Sequence, residues 1–439
     1  MKNKVMRTAS LATAALFLAW QALAGAAETP LTLEQTIHLV RQNNPALKAA
    51  AEELRAADAR VTKSRSAWFP QITATAGYTY LDPVSEVPAF GKFMPNNNYE
   101  AKVTARTTLF DFAKRGNTVE LALIGKKSAG NSLELSHREL SFQTVQLFYG
   151  ILLLRESIKV EEKEIAALAK ALDFTAKRYQ AGAATRFDLL STEVRISAAK
   201  NRMLDLAHAL RRSELTLRRL AGIPESTPLD LQGSFSVKPS ATADGSLVDR
   251  ALQERLEMKL SRDQEAAARE RRSIAFKEGL PVVTAGASWG TTNGMMPDIT
   301  LMRTNFAGSL HLEVPLFTGF RNSAEQQEAK ALLSAAEDRR IDLEQQSRAD
   351  VEEALHARLT ASSKIAATDL QVKQAALAAD HARTRYSNGM ATTLDLLSTE
   401  TSLSQAELSR LQASYELVMS DYMLKRLTGE VFWEDPRER

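Results

Sequence analysis

The sequence predicts a mainly α-helical chain that carries four amphipathic β-strands, built as a duplicated helix–strand–strand–helix half. Three observations lead there. No proline occurs between Pro95 and Pro224, or between Pro315 and Pro436, and a proline inside a helix costs roughly 3 kcal/mol, so two such spans point to very long helices. Four stretches near the remaining prolines alternate apolar and polar residues with period two, the mark of a strand with two unlike faces. Finally, RYQAGAATRFDLLSTE (178–193) recurs as RYSNGMATTLDLLSTE (385–400), identical at 11 of 16 positions with an offset of 385 − 178 = 207.

From the N-terminus, Lys2, Lys4 and Arg7 precede an apolar run from Leu11 to Leu23 and the small residues Ala22 to Ala27. This is the pattern of an export signal, placed at 1–26, and the run is too short for a convincing membrane anchor. The first half, 27–235, holds ITATAGYTY and YEAKVTAR, with strands expected at about 69–82 and 99–110. The second half, 236–439, repeats the design, with strands expected at about 280–291 and 304–317. FPQITA (69–74) aligns with LPVVTA (280–285), TTLFDFAKRGN with VPLFTGFRNSA, and LAG (220–222) with LTG (427–429). The halves join near 223–246, where Pro, Ser and Gly cluster. A helix over about 318–386 would be on the order of 100 Å long at ~1.5 Å per residue, so it must line up with others in a bundle or coiled coil. Leu408, Leu411, Tyr415, Val418 and Tyr422 step by three and four, as a helical seam does.

Composition narrows the function. The formal charge of +3 falls to 3 − 3 = 0 without the first three basic residues, which leaves no electrostatic case for nucleic acid. With no cysteine there are no disulfides, thiol chemistry, Cys-held metal or acylated lipobox. The six histidines, His38, His137, His208, His311, His356 and His381, show no ligand spacing, and neither a phosphate loop nor a nucleophile elbow occurs. The expectation is therefore a non-enzyme with no cofactor and no metal. A purely structural exported coiled-coil protein is the rival, but it has no need of four amphipathic strands.

Strands of this kind in an exported chain suggest an outer-membrane barrel, yet four cannot close one, since the smallest need about eight. Open edges in lipid would leave unpaired backbone groups at several kcal/mol each. Other copies must complete the sheet, and three would give 3 × 4 = 12 strands around a wet lumen. Tyr78, Tyr80, Tyr99, Trp289 and Phe306 would suit aromatic girdles.

Over essentially all the sequence after the signal, the chain resembles the TolC family of outer-membrane efflux proteins. LTLEQTIHLVRQNNPALKAA, RSAWFPQITATAGY, TLFDFAKRGN, VPLFTGFRNSAEQQEAKALLSAAE and the two YxxGxxxxxDLLSTE copies carry the likeness in that order. The resemblance implies a homotrimer whose twelve-stranded barrel sits in outer-membrane lipid above a helical periplasmic tunnel. It implies a passive conduit for drugs or other small molecules, or for proteins in type I secretion. A periplasmic adaptor and an inner-membrane pump of the RND or ABC type would be its partners.

The repeated motif has a local reading and a functional one. Gly182 and Gly389 suit the left-handed end of a helix, and Thr185-x-x-Asp188 and Thr392-x-x-Asp395 suit capping boxes, so each copy is a turn between antiparallel helices. By resemblance these turns form the tunnel entrance and face the adaptor. Asp395 then matches an entrance-ring acid, and Tyr386 a tyrosine that bonds an acid equivalent to Asp188 when the channel is closed. The sequence departs from the family pattern at Ala391, where a basic residue is expected, and at Ser398, where a second acid is expected; Arg186 is an alternative latch.

Overall fold

The computed structural model describes residues 31–87, 91–235 and 246–431. The expected signal segment, 1–26, lies outside the described residues. The helices are α1 (Leu33–Asn43), α2 (Pro45–Arg65), α3 (Lys114–Gln180), α4 (Arg186–Ala221), α5 (Ser246–Glu254), α6 (Leu256–Lys277), α7 (Arg321–Ser387) and α8 (Thr393–Leu427). The strands are β1 (Gln71–Tyr80), β2 (Glu86–Val87), β3 (Gly91–Lys92), β4 (Asn97–Phe110), β5 (Val282–Thr292) and β6 (Arg303–Glu313). The two longest helices, α3 and α7, have 67 residues each. They occupy the proline-free spans.

The described residues form two compact units, and these do not follow the two sequence halves. One takes its residues from 1–48, 136–255 and 347–439, the other from 49–135 and 256–346.

The second unit contains an antiparallel sheet in the order β1-β4-β5-β6, so each sequence half supplies a hairpin and the two join through β4 and β5. The register puts Ile72, Ala74, Ala76, Tyr78 and Tyr80 on the face shared by Tyr99, Ala101, Val103, Val283, Ala285, Ala287, Trp289, Phe306, Leu310 and Leu312. The other face carries Ser288, Ser309 and most of the threonines together with Glu100, Lys102, Arg106, Arg303, His311 and Glu313. Most of the large apolar side chains are exposed: Ile72, Tyr78, Tyr80, Tyr99, Trp289, Phe306, Leu310 and Leu312 all face outward. Among the described residues β1 and β6 have no strand on their outer sides.

β1 and β6 stop short of the expected bounds, whereas β4 begins two residues earlier, at Asn97. Pro70 has no N–H to offer ahead of β1, and Pro315 has none beyond β6. The connection after β1, expected to be loop alone, contains the short β2–β3 hairpin. After β4 the chain turns into α3 through left-handed Phe112 and Ala113, and the second half repeats this with Gly319 and Phe320. Arg115 braces the first of these turns. Its Nε donates to Asp111 at 3.0 Å, one Nη donates to the Thr108 carbonyl at 2.7 Å, and its guanidinium lies over the Trp68 ring.

In the first unit the core gathers Leu33 and Ile37 of α1, Val145, Phe148, Ile151 and Leu152 of α3, Leu217 of α4 and Val418 of α8, with Tyr415 and Tyr422 packed against them. Tyr415, Val418 and Tyr422 of the predicted seam on α8 thus lie on a core face. Further along the same helices the cores shrink to small clusters, Leu168, Ala199 and Leu397, then Ala171, Tyr386 and Leu396. Those clusters hold the two repeated turns in place. Among the described residues no helix is long and apolar enough to cross a membrane.

Candidate functional site

The two copies of the sixteen-residue motif form nearly the same hydrogen-bonded turn. Each long helix ends with a glycine at φ +74°, and the next residue's amide bonds back to an arginine carbonyl at 2.8 Å: Ala183 to Arg178, Met390 to Arg385. The following helix opens with a capping box. In the first copy the Thr185 amide and hydroxyl donate to Asp188 Oδ2 at 2.8 and 2.7 Å, and the Asp188 amide returns to Thr185 Oγ1 at 3.3 Å. In the second, Thr392 donates to Asp395 Oδ2 at 2.9 and 2.8 Å, and the return bond is 3.1 Å. Thr192 and Thr399 then donate to the carbonyls of Asp188 and Asp395.

These contacts set the charge of the turns. The Thr185 hydroxyl and then its amide hold Asp188 below the usual carboxylate range. At Asp395 the Thr392 amide comes first and the hydroxyl second, with the same direction. Both carboxylates are therefore ionised at neutral pH. Asp395 stands exposed to solvent.

The copies differ at the tyrosine. Tyr386 is buried, 3% exposed, whereas Tyr179 is 44% exposed. Tyr386 lies between α3 and α8: its hydroxyl is 2.7 Å from Thr175 Oγ1 and 3.2 Å from Thr393 Oγ1, Phe174 is 5.3 Å away ring to ring, and Arg178 covers its other side at 5.2 Å. Thr175 gives its own proton to the Ala171 carbonyl, so the short contact needs the proton of Tyr386. The Thr393 hydroxyl adds a smaller lowering influence on the Asp188 carboxyl, behind that of Thr185. Among the described residues the Tyr386 hydroxyl thus bonds threonines on α3 and α8, and no direct bond joins it to Asp188.

Both departures from the family pattern have a local explanation. Ala391 packs against the Ala171–Tyr386–Leu396 cluster, where a basic side chain would meet apolar surface. Ser398 spends its hydroxyl on the Asp395 carbonyl at 3.0 Å.

Three participants were missed at the sequence level. Thr175 and Thr393 have Ala382 and Arg186 at their offset positions, so the repeat gave no signal for them. Glu400 closes the motif and is kept in both copies. It is 5% exposed and accepts two bonds from Arg383, at 2.5 and 2.7 Å, which raises the guanidinium pKa. Beside it an open cleft of roughly 540 Å³ is lined by Lys163, Lys170, Phe174, Arg383, Tyr386 and Leu396, among others. Among the described residues no cluster of His, Cys, Asp and Glu could hold a metal ion.

Comparison with known proteins extends this picture. The model of the outer membrane efflux protein family matches residues 36–223 and 247–430. Outer membrane protein TolC of Vibrio cholerae is 24% identical over 92% of this chain and 92% of its own. Pyoverdine export outer membrane protein OpmQ of Pseudomonas putida is 25% identical over 88% and 84%. The crystal structure of outer membrane protein VceC from Vibrio cholerae superposes with a TM-score of 0.79 at 19% identity, over 91% of this chain and 96% of that one.

Proposed function

The chain belongs to the outer membrane efflux protein family, and from that premise we propose that it is the outer-membrane channel of a tripartite export system. The observation that carries the reading is the four-stranded sheet. One face is largely apolar and exposed in the single chain, the opposite face carries the charges, and among the described residues neither edge strand has a partner on its outer side. Lipid requires the first, a wet lumen accepts the second, and closure with other copies removes the third. The strands alternate in direction across the sheet, so β6 of one copy meets β1 of the next antiparallel. Three copies close a barrel of twelve strands, and α3, α4, α7 and α8 continue it as a periplasmic tunnel.

Nothing in this arrangement supplies energy. An inner-membrane pump and a periplasmic adaptor do so, the adaptor docking at the repeated turns around Gly182 and Gly389. Asp395 lines the entrance, and Asp188 with Tyr386 holds it closed. The cargo is drugs or other small molecules, in keeping with a relative named for pyoverdine export. The test is to isolate outer-membrane fractions and reconstitute the protein in planar bilayers. A heat-modifiable trimer with discrete conductance steps is expected, and a soluble monomer would defeat the reading. Co-purification with an RND pump or an ABC exporter separates small-molecule efflux from type I protein secretion.

A further inference from the structure

We infer that the polar face of the sheet carries an oxyanion-binding site centred on Arg106, and that it takes water-soluble solutes with clustered phosphate or carboxylate groups inside the barrel. The inference rests on the trimeric channel reading above and on where the register sets the charges. On the polar face the four long strands hold three bases, Lys102, Arg106 and Arg303, and two acids, Glu100 and Glu313. Two of the bases are already occupied. Lys102 pairs with Glu100 on its own strand, and Arg303 donates to the Met296 carbonyl in the loop before β6 at 3.0 Å. Arg106 is exposed, and among the described residues it has neither an ion pair nor a hydrogen bond.

What surrounds Arg106 is uncharged and rich in donors. The ladder sets it between Gln71 of β1 and Gly286 of β5, and Gly286 is in turn opposite Ser309 of β6. On the same face Thr104 and Thr108 flank Arg106 along β4, and Thr284 and Ser288 flank Gly286 along β5. Opposed side chains in a sheet have Cβ atoms about 5 Å apart and diagonal neighbours about 7–8 Å, within the reach of an arginine. Neither acid of this face is among these neighbours: Glu100 is further along β4, beyond Lys102, and Glu313 is two strands away on β6.

Gly286 keeps the space across from Arg106 open. A Cβ placed there would lie 2.8 Å from Ser309 Oγ, so the Ser309 hydroxyl reaches over the glycine toward β4. A guanidinium without a carboxylate, ringed by hydroxyls and an amide, offers charge-assisted and neutral donors to an oxyanion. In a symmetric trimer the three Arg106 side chains stand at one height around the lumen, so a solute with several anionic groups gains most. The sign is opposite to that of the repeated turns, whose Asp188 and Asp395 are ionised. Charge selection is thereby divided between the barrel wall and the turns.

The test uses trimers purified from outer membranes and placed in planar bilayers, with inositol hexakisphosphate added on the barrel side. Block of the wild-type current is expected in about 0.1 M KCl, and weaker block in about 1 M KCl. R106Q should need on the order of tenfold more hexaphosphate for half-block, the combined loss of three exposed charge contacts, whereas R106K should stay near wild type. E100Q/K102Q, which removes a couple that is already paired, should change little. S309R places a further cation in the row of Arg106 and should lower the half-blocking concentration, which decides the matter if R106Q forms no trimer. A conducting wild type that the hexaphosphate does not block overturns the site and leaves the channel reading standing. So do R106Q or S309R trimers blocked at the wild-type concentration, or an equal shift in E100Q/K102Q. A wild type that is monomeric and silent in bilayers overturns both.

Discussion

Tyr386 and Tyr179 occupy the same place in the repeated motif, yet what surrounds each ring gives them different work. Replacing Tyr386 with Phe removes the hydroxyl that Thr175 and Thr393 share. A net loss of about 1 kcal/mol is expected, together with increased conductance if this network helps to hold the entrance closed. Tyr179→Phe should leave stability almost unchanged, because that hydroxyl has no bond within the chain among the described residues. Thermal unfolding of the two variants, with bilayer recordings of the first, checks both outcomes; equal effects would show that the buried network has no special part. Glu400 offers a sharper case. Arg383→Ala strands a carboxylate that is 5% exposed, at a cost of roughly 1–3 kcal/mol for an unsatisfied buried acceptor. The capping acids respond to pH in a fixed direction. Their folded pKa values are lowered, so what they contribute to stability is present above the ordinary carboxylate range and is lost as pH falls through the folded values. Amide protection at the starts of α4 and α8, taken relative to the intrinsic exchange rate at each pH, should therefore hold above the ordinary carboxylate range and fall below it.

At the scale of elements, Gly182 and Gly389 each sit at φ +74° with open space where a Cβ would go. The cost of Gly→Ala is then conformational alone, about 1–2 kcal/mol for the left-handed region, and should appear as a lowered unfolding midpoint without loss of assembly. The elements themselves were largely legible. Proline spacing announced α3 and α7, alternation announced the four long strands, and Thr-x-x-Asp announced the starts of α4 and α8. What sequence could not show was which helical residues face one another. Thr175 is an ordinary helix residue until α7 brings the Tyr386 hydroxyl beside it, and Arg383 meets Glu400 only because α7 and α8 run back along each other. Strand ends were overestimated at Pro70 and Pro315 because periodicity registers side chains, whereas the ladder depends on backbone N–H groups. The β2–β3 hairpin went unseen because two residues per strand are too few for any period to register.

On the scale of the whole molecule, the sheet makes the strongest demand. Leu310 is 69% exposed in the single chain and lies on the apolar face, while its neighbour Ser309 points to the other side. Leu310→Arg removes no contact of the isolated fold, yet in lipid it should cost about 2–4 kcal/mol near the bilayer midplane. Ser309→Arg should be tolerated, since it adds charge to a face that already carries Lys102, Arg106 and Glu313. The amount of heat-modifiable trimer recovered from outer membranes distinguishes them, and equal recovery would remove the case for a lipid-facing surface. The turns make the opposite kind of demand. Their backbone geometry is fixed by main-chain amides, two threonines, two aspartates and two glycines, so the exposed positions of the motif are not needed to shape the turn. Arg186, Phe187 and Leu394, all exposed, are free to change while the hairpin keeps its shape. Under the docking proposed for these turns, a lineage carrying this protein could exchange the machinery it serves by drifting at a few positions per copy. Because the motif is written twice, one copy can explore such changes while the other continues to engage the original apparatus.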